Sequence, residues 1–136
     1  MGWIRDGIAA GAVAAVVSGI PSTVHASLTG RDPLEATLAA GSILAPNETR
    51  RGRLFLTAAP VHGAISLGWA LVLARALSPR PTLAAGAAAG LAIAALDLGV
   101  IGRRFPRIRS LPVGPQLADH IVYGGAVAAV LSRRRA

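Results

Sequence analysis

The sequence predicts an all-α fold: one polytopic membrane domain over residues 1–136, a bundle of about four transmembrane helices with a short interfacial or re-entrant helix in the first loop. Three observations predict it. Hydrophobic residues make up 53% of the chain, and its mean hydropathy is +0.56. Charged residues make up only 15%, against about 25% in a soluble domain. The apolar residues lie in runs near the length that crosses a bilayer, with arginines gathered at the run ends.

The first run, about 7–28, is apolar as far as Ile20 apart from Ser18. Pro21 lacks the N–H that would continue the ladder. A kink is expected there, with freed carbonyls satisfied by Ser22, Thr23 or neighbouring groups. Trp3 lies where an interfacial anchor belongs. Arg5 and the small residues near Ala26 loosely fit a cleavable signal, but Asp6 and Pro21 do not, so an uncleaved first helix is expected.

Residues 29–53 form the longest connection. A short helix at about 33–45 is expected, with Asp32 as cap, Pro33 in the first turn and Glu35 completing a capping box. It is too short to span. Pro46 ends it, and Arg50, Arg51 and Arg53 mark the return to the head-group level. The second span, about 54–77, contains Pro60 and Trp69. Ser78-Pro79-Arg80-Pro81 is a tight turn, which predicts that the second and third spans are antiparallel neighbours. The third, about 82–101, has Asp97 as its one charge. A basic, proline-rich loop follows with Arg103, Arg104, Arg107 and Arg109. The fourth span, about 116–131, is the shortest and opens with Asp119 and His120. Arg133, Arg134 and Arg135 close it as a stop signal. The octets GAVAAVVS (11–18) and GAVAAVLS (125–132) hint at duplication, which low complexity explains more cheaply.

All 14 basic residues are arginine and cysteine is absent. Disulfides, thiolate metal sites and cysteine catalysis are thereby excluded. The net charge of +8 forms no separate basic domain. Arginines that flank apolar runs read as topology signals and as contacts to anionic lipid head groups, with no nucleic-acid partner. Abundant Arg, Ala, Gly and Pro reflect GC-rich codons and point to a high-GC bacterium, and so to a multipass protein of a bacterial inner membrane. No Walker loop, Rossmann fingerprint, GxSxG or zinc-enzyme motif occurs, so nothing indicates an enzyme or calls for a cofactor.

Within lipid, small residues drive helix association better than apolar area does. Gly7, Gly11 and Ala15 form such a stripe on the first helix, and Gly86, Gly90 and Ala94 form one on the third. Asp97 lies three turns after Gly86 and shares its face; His25 lies five turns after Gly7, if the kink at Pro21 is ignored. His62 shares a face with Ser66 and Trp69, while Asp119, His120 and Tyr123 occupy one arc about 100° wide. In depth, His62 lies ~13 Å past Arg53, and Asp97 ~9 Å before Arg103. The candidate polar cluster is therefore His25, His62, Asp97, Asp119, His120 and Tyr123, gathered on one side of the bilayer. The opposite half is almost purely Ala, Gly, Val and Leu.

Ionisable groups inside a membrane pair with one another or line a cavity. The plainest expectation is structural: Asp97 pairing with Arg103 or Arg104, Asp119 with Arg107 or Arg109, and each histidine with a backbone carbonyl. That makes the chain a non-catalytic membrane protein interacting with lipids, with partner membrane proteins or with copies of itself. The first alternative is a small transporter or channel with a proton- or ion-linked site. The second is a metal- or haem-binding redox protein using His25, His62 or His120, although no tight ligand spacing is present. Arginines number eight on the side of the two long loops and six on the other. The positive-inside rule leans toward cytoplasmic loops, but this difference is too small to fix the orientation.

Overall fold

Pro21 has no N–H to offer Val17, and the first long helix breaks just before it. In the computed structural model, which describes residues 2–136, α1 (Gly2–Val17) and α2 (Ile20–Leu28) form one bent rod. The Ser22 hydroxyl donates to the Gly19 carbonyl at 3.3 Å. The rod ends where Gly30 takes a φ of +70° and the Arg31 N–H reaches back to the Ala26 carbonyl at 2.8 Å. Glycine enters that left-handed region without a Cβ clash.

The next helix, α3 (Glu35–Gly41), is shorter than the 33–45 expected. The Asp32 carboxylate accepts from the Leu34 N–H at 2.9 Å, and the Asp32 carbonyl accepts from the Glu35 N–H at 2.9 Å. Those bonds make residues 32–35 a turn. Glu35 is drawn to Arg31 at 2.8 Å and closes no capping box. The buried face of α3 lies on the start of α4 (Arg51–Ala76), where the Thr57 hydroxyl donates to the Gly41 carbonyl at 3.0 Å.

Thr82 caps α5 (Leu83–Leu96), its hydroxyl accepting from the Ala85 N–H at 3.1 Å. The helix then widens into a π turn, Asp97–Ile101, tightens into a 3-10 turn, Gly102–Arg104, and leads through α6 (Pro106–Arg109) to α7 (Val113–Arg134). The last helix begins before the 116 expected because Pro115 sits in its first turn, where a missing N–H costs nothing. Among the described residues no strand occurs. Three stretches are long and apolar enough to cross a membrane: Gly2–Leu28 (27 residues), Arg51–Ala76 (26) and Leu83–Arg104 (22). The 22-residue α7 is as long as the last of these but more polar in its first half.

The glycine faces decide which helices meet. Gly7 and Gly11 lie against Leu67, Ala70, Leu71 and Ala74, so α1 and α4 run antiparallel in close contact. Gly86 and Gly90 lie against the backbone of His120 and Gly124, which clamps α5 antiparallel to α7. Both α1 and α2 also pack on α7. The order around the bundle is α4–α1–α7–α5, and α4 and α5 scarcely touch. This corrects the expectation drawn from the tight turn at 78–81. A short turn makes two helices antiparallel, but α5 presents its glycine face to Gly124, where backbones approach most closely.

The core is built of small residues: Ala10, Ala14, Ala70, Ala74 and Ala128 are buried, with Leu73, Ile93, Tyr123, Val127 and Leu131 filling between them. Large aliphatics point outward, including Val16 (78% exposed), Leu28 (81%) and Leu56 (72%). At one end of the bundle, α3 touches α6. At the other, Asp6 meets Arg134 at 2.9 Å and Arg135 at 3.4 Å, and the Ser132 hydroxyl donates to the Pro81 carbonyl at 3.0 Å.

Candidate functional site

Because α4 and α5 stand apart, the space between them is a cavity of about 970 Å³. His62, Ile65, Ser66, Trp69 and Val72 of α4 form one wall, and Ile93, Asp97, Leu98 and Ile101 form the other. The rod of α1 and α2 and the first half of α7 form its back, while α3, Ile108 and Leu111 border the loop end. Five of the six cluster residues line this one space: His62, Asp97, Asp119, His120 and Tyr123.

The sixth, His25, is half-exposed on α2 and does not line the cavity. Its placement with the others assumed an unbroken helix from Gly7. The break before Pro21 resets the helical phase, so the five-turn spacing no longer applies.

His62, Asp119, His120 and Tyr123 each bond to backbone. The His62 Nε2 lies 2.8 Å from the Ala15 carbonyl; a carbonyl only accepts, so this nitrogen carries the hydrogen. The bond falls just ahead of the break, where the ladder of α1 is interrupted. Across the break, the Ser22 N–H donates to the Asp119 Oδ1 at 2.9 Å. Asp119 therefore caps the start of α2 from a different helix, supplying the acceptor that an N-cap side chain otherwise provides. The Tyr123 hydroxyl donates to the Ser66 carbonyl and ties α7 to α4. No buried side-chain nitrogen or oxygen among the described residues lacks a partner.

Within the cavity, one contact joins two ionisable side chains. The His120 Nδ1 donates to the Gln116 carbonyl at 2.7 Å, and its Nε2 lies 3.6 Å from the Asp97 Oδ2. With Nδ1 committed as a donor, a neutral ring would turn a lone pair toward the carboxylate. The contact is attractive only when the pair holds a proton between them. The expected pairing of Asp97 with Arg103 or Arg104 does not form, nor that of Asp119 with Arg107 or Arg109. Each carboxylate lines the cavity instead.

Comparison with protein-family models, with curated proteins and with solved structures found no match to this chain. Among the described residues, no three of His, Cys, Asp and Glu gather with the spacing that holds a metal ion. His62 and His120 would each have to break a bond to a carbonyl, or turn away from Asp97, to serve as axial ligands to haem.

The arginines divide into two groups. Arg51 is bonded to Asp32, with one contact at 2.9 Å; Arg50 and Arg53 meet Glu48 at 3.2 and 3.5 Å. The Arg51 guanidinium beside Asp32 and the Arg50 guanidinium beside Glu48 hold these carboxyls down at about 2, well below the usual carboxylate range. Arg134 and Arg135 are paired with Asp6, and Arg135 also donates to the Ala74 carbonyl at 2.6 Å. Arg103, Arg104, Arg107 and Arg109 at the loop end, and Arg5, Arg75, Arg80 and Arg133 toward the other, meet no carboxylate among the described residues.

Sequence reasoning placed Ser22 at the break, where its hydroxyl does meet a freed carbonyl, but missed its N–H as the partner of Asp119, and it missed Gln116. Gln116 is four residues before His120, so its carbonyl is the natural partner of that ring, and the spacing alone would have found it. For Ser22 the signal was Pro21: a helix restarting at a proline leaves its first N–H groups in need of an acceptor.

Proposed function

We propose that this chain is a small, non-catalytic integral membrane protein whose four long helices all cross the bilayer and whose role is to bind lipid or partner components within it. The observation that carries the membrane reading is the inverted distribution of apolar groups. Alanine, glycine and serine make up much of the interior, while more of the leucine, isoleucine and valine side chains are exposed on the outside of the bundle than are buried within it. In water that arrangement would expose large apolar patches. In hydrocarbon the outward side chains meet lipid tails, and small residues let the helices pack. The 22-residue α7 is long enough to span at ~1.5 Å per residue, and its polar first half is shielded by α1, α2 and α5. The non-catalytic reading is supported by His62, Asp119, His120 and Tyr123, which are engaged in holding backbone.

The absence of cysteine makes the topology directly testable. Ser78→Cys and Ser110→Cys, each introduced alone, are expected to react with a membrane-impermeant maleimide from opposite faces of sealed vesicles. Labelling of both from the same face would sink the four-span reading. A proton-linked transporter is the second reading, favoured by the Asp97 Oδ2 lying 3.6 Å from the His120 Nε2 in the cavity wall. Proton flux in proteoliposomes that disappears in Asp97→Asn would move the conclusion there.

A further inference from the structure

We infer that the cavity between α4 and α5 holds the acyl chain of one anionic phospholipid, with its head group against the arginines of the 102–112 loop. This rests on the membrane reading above and names the ligand that reading leaves open. The lining is mostly alanine, glycine, aliphatic and aromatic, and Phe55, Ile65, Val72 and Ile101 remain exposed within it. His62, His120, Tyr123 and the Asp119 Oδ1 are already bonded to backbone, so most of the wall offers apolar surface, and hydrocarbon needs no donor or acceptor there.

Charge selects the head group. Ile101 and Ile108 both line the cavity, and Arg103, Arg104, Arg107 and Arg109 lie between and beside them in the chain. These four meet no carboxylate among the described residues, whereas the arginines of the 29–53 segment are matched by Asp32, Glu35 and Glu48. A lipid phosphate supplies the missing counter-charge. A membrane-spanning helix of a partner suits the space less well. Such a helix is about 10 Å across, and α3 touching α6 bars its path at the loop end.

The test is native mass spectrometry of the protein released from nanodiscs made of equal parts phosphatidylglycerol and phosphatidylcholine. One phosphatidylglycerol should remain with each chain. Arg103→Gln and Arg107→Gln should each lower the retained ratio of phosphatidylglycerol to phosphatidylcholine about fivefold. Ala64→Phe and Gly68→Leu, which fill the cavity from α4, should abolish retention of both lipids, while Gly125→Ala, outside the cavity, should leave it intact. A protein that enters nanodiscs yet retains no lipid, or retains both lipids equally, overturns this inference alone. So does a dimer that the filling variants convert to monomer, because the occupant is then a second copy. A protein that does not enter nanodiscs overturns the membrane reading and this inference with it.

Discussion

Asp119 stands at a break in a helix to which it does not belong. Its carboxylate accepts the Ser22 N–H at 2.9 Å, and that N–H has lost its helical partner to the kink before Pro21. Two substitutions separate this capping role from proton chemistry. Asp119→Ala leaves the N–H unpartnered and should destabilise the bundle by about 1–3 kcal/mol. Asp119→Asn keeps a side-chain carbonyl in place and should lose less than about 1 kcal/mol. Unfolding of both variants by SDS titration in mixed micelles reads the difference. Equal losses would mean that the negative charge matters and the hydrogen bond does not. His62 plays the matching part on the other side of the break, giving its Nε2 hydrogen to the Ala15 carbonyl. Both residues looked like members of a site in the sequence. In the structure both mend a broken backbone.

At the scale of elements, α5 and α7 are held by glycine. A Cβ added to Gly124 would be driven into the Gly86 carbonyl and would stand 2.8 Å from the Gly90 nitrogen, while one on Gly125 meets nothing within 4 Å. Gly124→Ala should therefore destabilise by roughly 1–3 kcal/mol, as overpacking does. Gly125→Ala should be neutral or gain up to about 1 kcal/mol from helix propensity. Thermal unfolding in detergent compares the two, and a Gly124→Ala protein as stable as the parent would refute the clamp.

The 29–50 segment is held differently, by exposed ion pairs. Asp32 and Glu48 sit at about 2, against usual values of 3.8 and 4.5. Their contribution is complete above the usual values and is lost as the pH falls through about 2. Hydrogen exchange in the segment should stay slow from pH 7 down to about 4.5 and accelerate relative to α4 below that. Flat relative protection down to pH 2 would show that the pairs do not hold the segment.

At the scale of the whole molecule, the ring order α4–α1–α7–α5 matters most. It leaves α4 and α5 without each other, and the cavity follows from that gap. The same order brings His62, Asp97, Asp119, His120 and Tyr123 to one space, because α4 and α7 begin at the end where α2 and the π turn of α5 finish. The two ends of the bundle are unlike. One carries the cavity's polar groups, the longer loops and Arg103, Arg104, Arg107 and Arg109, which meet no carboxylate among the described residues. The other is closed by Asp6 with Arg134 and Arg135, and by Ser132 with Pro81. A ligand with an anionic head and an apolar tail fits the first end in both respects.

The sequence by itself determined what is local. Apolar runs and prolines placed the long helices near 7–28, 54–77 and 82–101, Pro21 announced the break, and the spacing of Gly86 and Gly90 marked the face that would pack. Helical phase put His62, Asp97, Asp119, His120 and Tyr123 on inward faces, and the structure brings them to one cavity. His25 escaped because phase cannot be carried across a proline break. Only the tertiary structure decided which helix each glycine face would meet. Four antiparallel helices joined by short turns can close in more than one order, and every order satisfies the same hydropathy. Close approach of the α5 and α7 backbones at Gly86, Gly90 and Gly124 settles the order, and the cavity between α4 and α5 exists because of it.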